Sequence, residues 1–421
     1  MKLKCRFCNT PLKHSFIDLG TSPLANSYVE AEATLEMEPF YALHAYVCDE
    51  CFLVQLPAVE RRESMFNADY AYFSSYSESV LAHSRAYVTA MVERFGFNSR
   101  SQVVEIASND GYLLQYFKAR AVPVLGIEPS RNVAEAAIAA GIPSRVCFFG
   151  VETARDLAAE GLRADLLLGN NVLAHVPDIN DFVAGLKILL APGGIITMEF
   201  QHLLQLMQGN YYDTIYHEHF SYLSLVSVEK IFAHHGLTLF DVEEIAPQGG
   251  SLRIYARHDD DARHAVGPRV AELREREIAA GLTTLDRYRQ FAERVFRTKR
   301  DLLHFLIEAR WMGRTVVGYG APAKGNTLLN FCGIKTDLLP YTVDVSPHKQ
   351  GRLLPGTRIP IHAPAKIMET RPDYVLILAW NIKDEIMRQM AGIGSWGGRF
   401  VVPLPEVAVL LDAMTQFACV A

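Results

Sequence analysis

The chain has 421 residues and a formal net charge of −6, from 41 lysines and arginines against 47 aspartates and glutamates. Half of the residues are hydrophobic and 21% are charged, which is typical of a globular protein of several domains. The mild acidity argues against a broad nucleic-acid surface, because phosphate binding needs clustered lysine and arginine. No apolar run reaches the roughly 20 residues that span a bilayer, and the first residues lack the apolar stretch of a secretory signal. We therefore expect a cytoplasmic protein without a nucleic-acid or membrane partner.

The seven cysteines include two C-x-x-C pairs, Cys5 with Cys8 and Cys48 with Cys51. A two-residue spacer lets both thiolates of a pair face one ion, and two pairs complete the four-thiolate shell of structural zinc. A redox dithiol is the alternative, although no thioredoxin-like βαβ pattern surrounds either pair. The four cysteines therefore predict a structural zinc site. The remaining cysteines are interpreted as small core hydrophobes: Cys147, Cys332 and Cys419.

The segment 67–79 (NADYAYFSSYSES) is dense in aromatic and hydroxyl side chains. A helix that begins behind a serine cap would have this composition. A lid that closes over a ligand would have it as well. Composition alone favours neither interpretation, and both stay open at this point.

Strand and helix patterns alternate over about 100 residues in the middle of the chain. The apolar runs that predict buried strands are 102–107, 122–127, 164–168 and 195–200, with a further strand ending near Cys147. The first run leads through a turn of small residues into a helix over 112–118. Glu128 follows the second run, where a carboxylate suits a ribose diol. The alternation predicts a doubly wound parallel α/β sheet, which 237–245 and 251–257 complete as antiparallel edge strands.

Four motifs occur here in one order: E-I-A-S-N-D-G, E-P, G-N-N-V-L-A-H and L-A-P-G-G. In that order they resemble the class I S-adenosylmethionine (SAM)-dependent methyltransferases. That family has an acid followed by glycines at alternate positions, and this chain keeps Glu105 and Gly111 but has Ala107 and Asn109 in two glycine positions. The resemblance implies SAM as the cofactor. The residues that it implies at the cofactor are Tyr72, Ser75, Glu105, Ala107, Asn109, Asp110, Gly111, Glu128, Pro129, Phe149, Asn170 and Asn171.

The whole layout resembles the nucleotide-sugar C-methyltransferases. The resemblance is carried by the C-x-x-C pairs, D-Y-A-Y-F-S-S, the methyltransferase motifs, Y-H-E-H-F-S-Y and G-Y-G-A-P-A-K-G-N. That family methylates carbon 3 of deoxysugar precursors such as dTDP-4-keto-6-deoxyhexoses. The resemblance implies a zinc-binding domain over 1–68, a Rossmann-like methyltransferase core over 69–262, and a helical linker with a second Rossmann-like domain over 263–421.

The segment 215–222 (IYHEHFSY) carries the side chains that carbon methylation needs. A 4-ketone acidifies the hydrogen on carbon 3, so the enzyme needs a base that titrates near neutral pH, as histidine does. If the segment is extended, Tyr216 and Glu218 lie on one face and His217 and His219 on the other. The alternatives are two hydrogen-bonded loop histidines and an H-x-H metal pair. The resemblance implies His219 as the base, with Tyr216, Glu218, His175 and Tyr70 around the sugar.

The segment 259–310 carries charge at helical spacing and predicts one or two long amphipathic helices. The strand, G-x-G-x-x-A turn and helix of 314–326 then resemble a dinucleotide fingerprint, with Asp344 as a candidate ribose acid. Pro322 removes a backbone N–H from this turn, and the chain already has a cofactor domain. We therefore favour a surface that contacts the nucleotide sugar. Surface solubility would also explain each of the basic residues Lys324, Lys349 and Arg358. The candidate substrate residues are Tyr319, Lys324, Asn326, Asp344, Lys349 and Arg358.

The leading interpretation is a SAM-dependent C-methyltransferase with structural zinc, acting on a nucleotide-linked 4-keto-deoxysugar of the dTDP type. His219 would remove the proton from carbon 3 in this reading. We expect a monomer or a weak homodimer. The first alternative is an NAD-dependent nucleotide-sugar oxidoreductase that uses the C-terminal fingerprint. The second is a zinc-bearing binding module whose methyltransferase core has lost its activity.

Overall fold

The computed structural model describes residues 3–33, 35–61, 63 and 73–410, and the chain divides into two compact units. The first unit consists of Met1–His14, Val47–Leu204 and Phe220–Leu285. The second consists of Ser15–Tyr46, Gln205–His219 and Asp286–Ala421. Each unit is therefore built from separate stretches of chain. Within the described residues, no helix has an apolar window long enough to cross a bilayer.

The strands of the described residues are, in chain order, β1 (His14–Ser22), β2 (Tyr41–Val47), β3 (Val54–Gln55), β4 (Val103–Ile106), β5 (Val124–Ile127), β6 (Ser144–Arg145), β7 (Ala164–Asn170), β8 (Leu190–Gln201), β9 (Ser221–Tyr222), β10 (Leu237–Ile245), β11 (Ser251–His258), β12 (Val316–Tyr319), β13 (Thr342–Val343), β14 (Ile361–His362), β15 (Tyr374–Ile377), β16 (Arg399–Val402) and β17 (Ala408–Leu410). The helices are α1 (Glu78–Phe95), α2 (Leu114–Lys118), α3 (Arg131–Ala139), α4 (Val151–Ala159), α5 (Ile179–Leu189), α6 (Leu203–Gln208), α7 (Leu225–His234), α8 (Pro268–Ala279), α9 (Leu285–Trp311), α10 (Ala323–Cys332), α11 (Ala365–Thr370) and α12 (Lys383–Gln389).

The first unit contains a seven-stranded sheet in the order β10-β11-β8-β7-β4-β5-β6. The strands from β8 to β6 run parallel, whereas β11 is antiparallel to both β8 and β10. The predicted doubly wound sheet with two antiparallel edge strands is confirmed. Its first strand, β4, is buried along its whole length because helices cover both faces.

Two hydrophobic clusters lie on the two faces of this sheet. One contains Val104 and Ile106 of β4 with Phe182 of α5, and the other contains Val103 of β4 with Tyr87 of α1. Successive side chains of a strand point to opposite faces, so the short apolar run of β4 supplies both clusters. The sheet therefore holds the carboxyl ends of β4, β5 and β7 at one edge, where the predicted cofactor motifs follow.

The second unit contains a six-stranded sheet in the order β14-β13-β12-β15-β16-β17. All neighbouring pairs are parallel except β16 with β17, which are antiparallel. The predicted second Rossmann-like sheet is thus present, and the segment 259–310 contains two helices, α8 and most of α9. The strand β1 contributes Phe16, whose ring stacks on Phe291 of α9 at 4.8 Å.

Candidate active site and zinc site

Four cysteine sulfurs converge at one point of the first unit. All four Sγ atoms lie within 4.8 Å of one another. Cys5 to Cys51 and Cys8 to Cys48 are each 3.5 Å apart. Zn–S bonds of about 2.3 Å in a tetrahedron place the sulfurs about 3.8 Å apart, so the donor set fits a closed zinc site. In the part of the chain that the structure describes, no other group of three or more potential ligands comes together.

The two C-x-x-C pairs have the same local conformation. Asn9 N donates to Cys5 O at 3.0 Å and Phe52 N donates to Cys48 O at 3.1 Å, which closes a tight turn around each pair. Asn9 and Phe52 have left-handed φ values of 62° and 60°. The matching turns explain how each pair aims both of its sulfurs at one point.

Two further groups act on the sulfur of Cys5. Gln55 Nε2 donates to it at 3.2 Å, and Gln55 Oε1 accepts from Arg6 N at 2.8 Å. Hydrogen bonds within the cluster lower the pKa of Cys5 and raise that of Cys51. The thiolate is the form that binds a metal, and the Gln55 donor stabilises a thiolate on Cys5.

In the turn after β4, every second residue has a left-handed backbone conformation. The family has glycine at these three positions, and this chain has it only at the last one. Ala107, Asn109 and Gly111 have φ values of 57°, 50° and 79°. Asparagine tolerates this region, whereas alanine is strained there by about 1–2 kcal/mol. A Cβ on Gly111 would lie 2.8 Å from Cγ1 of Ile142. The backbone path of a glycine-rich turn is therefore kept without two of its glycines.

The segment before α1 is tied to this turn. Ser74 N donates to Asn109 Oδ1 at 2.8 Å, and Ser75 N donates to Asp110 Oδ2 at 3.2 Å. Ser77 caps α1 by accepting from Val80 N. The serine-capped helix is thus confirmed, while the lid stays a prediction. Tyr70 and Tyr72 lie outside the described residues.

Buried carboxylates surround the same turn. Glu128 accepts from Asn109 N at 3.0 Å and from Ser130 N at 2.8 Å. Burial raises the pKa of Glu105 well above its usual value, and the charges of Glu128 and Asp110 raise it further. Burial also raises the pKa of Glu128. A ligand with positive charge would relieve this repulsion, and SAM carries a sulfonium and an ammonium group.

The other predicted cofactor residues lie at the neighbouring strand ends. Pro129 directly follows Glu128, and the ring of Phe149 packs edge-on against Phe182 at 5.4 Å. Asn170 ends β7, and Asn171 N donates to Glu199 O of β8 at 2.8 Å. His175 ends a 3-10 turn after β7 and is half-buried. The sheet brings these residues to the edge that the sequence predicted, and their roles stay predictions.

Sequence reasoning missed a buried charge network at the end of β8. Glu199 accepts from His83 Nε2 at 2.8 Å and from Arg253 Nε at 2.7 Å. Burial raises the pKa of Glu199, but the hydrogen bonds and charges of His83 and Arg253 outweigh it and lower the pKa below its usual value. These residues lie 116 and 54 positions from Glu199, so no local motif indicates the network.

Residues 216–219 of the reactive segment form a turn, so the extended geometry is wrong for them. His219 N donates to Tyr216 O at 2.9 Å, which brings the two rings to 4.0 Å between centroids. His219 Nδ1 donates to Thr214 O at 2.8 Å, because a carbonyl oxygen only accepts. In a neutral imidazole this leaves the lone pair on Nε2. The rings of Tyr216 and His219 therefore share one surface of the turn.

The other two side chains of this segment are buried. His217 Nε2 pairs with Ala42 O at 3.2 Å, and burial lowers the pKa of His217. Glu218 is 4% exposed, and its two oxygens accept from Asn26 Nδ2 at 2.8 and 3.0 Å. Burial raises the pKa of Glu218 to about 7, against the opposing effect of the Asn26 bond. The hydrogen-bonded histidine reading therefore describes His217 well, and Asn26 is a contact that the sequence did not indicate.

The predicted substrate residues all make bonds within the second unit. Tyr319 donates to Gln389 Oε1 at 3.3 Å and Lys324 to Asn381 Oδ1 at 2.8 Å. The remaining pairs are Asn326 with Ala25 O, Asp344 with Ala321 N, Lys349 with Ala321 O and Arg358 with Glu38. The fingerprint turn is therefore paired internally, and the roles of these residues toward a substrate stay predictions.

Models of three families match the chain. They are described as a zinc binding domain (residues 5–66), a methyltransferase domain (80–242) and a C-methyltransferase C-terminal domain (246–405). The chain is 37% identical over 410 residues to C-methyltransferase NovU of Streptomyces niveus, covering 97% of this chain and 96% of NovU.

Solved structures are also similar to part of the chain. The PH0226 protein of Pyrococcus horikoshii OT3 gives a TM-score of 0.37 at 14% identity, covering 45% of this chain and 95% of that chain. Magnesium protoporphyrin IX methyltransferase of Synechocystis PCC 6803, with bound SAM, gives 0.32 at 15% identity, covering 46% of this chain and 88% of that chain.

Proposed function

Because the chain belongs to the family of SAM-dependent C-methyltransferases that includes NovU, we propose that it methylates carbon 3 of a nucleotide-linked 4-keto-deoxysugar in deoxysugar biosynthesis. SAM supplies the methyl group to the nucleophilic carbon. The observation that carries the proposal is the contact of His219 Nδ1 with Thr214 O at 2.8 Å, from which we infer a neutral imidazole with its lone pair on Nε2. A sugar carbon becomes a nucleophile only after it loses a proton, and this geometry holds a base in the form that can take one.

His219 Nε2 accepts the proton of carbon 3, and the electron pair of that C–H bond moves toward the ketone oxygen. The bond to Thr214 O remains in place when Nε2 gains the proton, so the imidazolium keeps its orientation. Tyr216 lies beside the imidazole, and its hydroxyl is the proposed donor toward the developing oxyanion. Glu218, His175 and Tyr70 are proposed to line the sugar.

The nucleotide end of the substrate carries the negative charge. Lys324, Lys349 and Arg358 are the cations proposed to meet its diphosphate, with a dTDP nucleotide favoured. Tyr319, Asn326 and Asp344 are the proposed polar neighbours. The proposed domain boundaries are 1–68, 69–262 and 263–421. We propose a monomer or weak homodimer, which native mass spectrometry tests directly.

The replacement His219→Ala tests the base. We expect methyl transfer from labelled SAM to a dTDP-linked 4-keto-6-deoxyhexose to fall at least about 100-fold, the usual contribution of a general base. The rate at which the carbon 3 proton exchanges with deuterated water, measured by NMR in the absence of SAM, should fall by a similar factor. We expect titration calorimetry to show SAM binding unchanged, because His219 is not among the residues proposed to contact the cofactor.

His304→Ala is the matched control, because His304 lies on the exposed side of α9 with 81% of its side chain accessible. It should retain wild-type turnover and exchange. Near-normal turnover in His219→Ala would remove His219 from the mechanism. Methylation of a hydroxyl oxygen by the wild-type protein would contradict the carbon nucleophile.

A further inference from the structure

Polar groups of the fingerprint turn G-Y-G-A-P-A-K-G-N form hydrogen bonds with other residues of the second unit. Ala321 N donates to Asp344 Oδ2 at 2.7 Å, and Ala321 O accepts from Tyr28 OH at 2.6 Å and from Lys349 Nζ at 3.0 Å. Asp344 Oδ1 also accepts from Ser346 N at 2.9 Å. The amide and the carboxylate that a dinucleotide would use are thus engaged with each other. The carbonyl of Ala321 is engaged with the segment that contains Tyr28.

That segment is fixed on both sides of Asn26. Asn326 Nδ2 of α10 donates to Ala25 O at 2.6 Å. Val29 and Leu353 exchange backbone hydrogen bonds of 3.0 and 2.8 Å. Four hydrogen bonds, including that of Tyr28, therefore fix the chain immediately before and after Asn26.

The partner of Asn26 is fixed by the same helix. Thr327 Oγ1 of α10 donates to Ile215 O at 3.2 Å, three residues before Glu218. Asn26 Nδ2 reaches both oxygens of Glu218, at 2.8 and 3.0 Å, although the two residues are 192 positions apart. Adjacent residues of α10, Asn326 and Thr327, thus hold the donor segment and the acceptor segment.

We propose that Asn26 is a positioning residue that orients the Glu218 carboxylate for the sugar substrate, and that the fingerprint turn with α10 serves to hold Asn26 in place. The proposal rests on the function proposed above, in which Glu218 lines the sugar. It gives the C-terminal fingerprint a role other than dinucleotide binding. It also links residues 25–29, within the predicted zinc-binding domain, to the reactive turn.

Burial makes this contact matter for the charge of Glu218. A buried carboxylate without donors is costly, so it becomes protonated unless hydrogen bonds stabilise the ion. Glu218 acts on one titratable neighbour among the described residues, Tyr28, whose pKa is raised by burial, then by Asp344 and Glu218. His217 and His219 are the sequence neighbours. The Asn26 donor therefore favours both the orientation and the ionised form of Glu218.

A double-mutant cycle tests the proposal in the full chain. Asn26→Ala should lower kcat/KM for a dTDP-linked 4-keto-6-deoxyhexose by about 10- to 100-fold, as expected for a misplaced group at a reacting centre. In a Glu218→Gln background the same change should cost less than about threefold, because the carboxylate it acts on is gone. Equal losses in both backgrounds would overturn the proposal.

Asn330→Ala is the matched control, because Asn330 Nδ2 donates only to the carbonyls of Asn326 and Pro355 among the bonds that the described residues show, at 2.8 and 3.1 Å. It should leave kcat/KM within about threefold in either background. A loss in Asn330→Ala as large as in Asn26→Ala would indicate a general loosening of α10 and overturn the specific role.

Thermal unfolding tests the contact without any substrate. Glu218 has a pKa of about 7 in the folded protein, so the Asn26 bond to its ionised form stabilises the protein above that pH and loses this extra contribution below it. The loss of Tm in Asn26→Ala should be several degrees larger at pH 8.5 than at pH 5.5. In the Glu218→Gln background the loss of Tm should not depend on pH, because the side chain at that position no longer ionises.

The two readouts separate the possible failures. If the wild-type protein does not methylate the ketosugar but the Tm cycle behaves as expected, the proposed substrate is wrong and the contact between Asn26 and Glu218 stands. If methylation occurs and neither cycle shows coupling, Asn26 is not a positioning residue.

Discussion

At the scale of single residues, the turn after β4 keeps its path by straining an alanine. Ala107 has a φ of 57°, a conformation that glycine adopts freely and alanine does not. The left-handed conformation of Asn109 is partly offset by a hydrogen bond, because its Oδ1 accepts from Ser74 N. The turn therefore depends on side-chain contacts that a sequence of glycines would not make.

Replacing Ala107 by glycine should stabilise the protein or leave it unchanged. The strain relieved is about 1–2 kcal/mol, and the added freedom of the unfolded chain offsets about 0.4–1 kcal/mol of it. Ala136→Gly in α3 is the control and should destabilise by about 1 kcal/mol, because its backbone is helical. Urea unfolding measures both, and a larger loss in Ala107→Gly than in Ala136→Gly would contradict the strain.

Residue identities in local motifs could be predicted, whereas distant pairs could not. Glu105, Gly111 and Glu128 were placed correctly at one sheet edge because strand ends are local features. Glu218 was named, but its donor Asn26 lies 192 positions away and reaches it only through the folded second unit. A single sequence contains no periodic or compositional signal for such a pair.

At the scale of elements, the proposed zinc ion joins the two turns that carry the C-x-x-C pairs. We expect Cys48→Ser to reduce the metal content from about one zinc per chain to near zero, because one of four thiolates is lost. The Tm should fall as well, since metal binding contributes to folding. Cys147→Ala is the control, because Cys147 is half-buried outside the cluster. Elemental analysis showing zinc retained by Cys48→Ser would rule out the four-cysteine shell.

The turns after β4 and β5 should release protons when the cofactor binds. The pKa of Glu105 lies well above its usual value because of burial and the neighbouring acids. A cation lowers it, so SAM should displace protons in the pH range where Glu105 titrates, and S-adenosylhomocysteine, which lacks the sulfonium charge, should displace fewer. Calorimetry in buffers of different ionisation enthalpy counts the protons. Equal release for both ligands, or an unchanged difference in Glu105→Gln, would contradict this assignment.

Most strands followed the sequence pattern, and the exceptions have physical reasons. The run 399–402 matches β16, and 237–245 matches β10. The strand expected near Cys147 ends at Arg145, because it lies at the sheet edge and pairs only over two residues. Residues 216–219 of the reactive segment form a turn because Thr214 O and Tyr216 O accept from His219. The alternation of residue types does not reveal these local hydrogen bonds.

At the scale of the whole molecule, chain order and compact units do not coincide. The second unit includes Ser15–Tyr46 and Gln205–His219 besides Asp286–Ala421. The two Rossmann-like sheets were predictable because strand and helix patterns alternate locally. Discontinuous units were not, because the contacts that recruit the two short stretches come from scattered polar side chains and aromatic rings.

A fragment of residues 263–421 should therefore fold poorly. It lacks Asp213, whose Oδ2 accepts from Trp380 Nε1 at 2.6 Å, and Tyr211, whose ring stacks on Trp380 at 4.2 Å. It also lacks Ala25 and leaves the buried amide of Asn326 without its acceptor, which costs about 1–3 kcal/mol. We expect a broader thermal transition than in the full chain and a red-shifted tryptophan emission.

The emission of Trp380 can be isolated by subtracting the spectrum of Trp380→Phe, in the fragment and in the full chain alike. In the full chain the difference spectrum should be blue-shifted, because Trp380 is 7% exposed. In the fragment it should approach that of solvated indole. A fragment with a sharp transition and a blue-shifted difference spectrum would show that the C-terminal stretch folds alone. In that case the hydrogen bonds from α10 to residues 25 and 215 would add to a preformed domain instead of completing it.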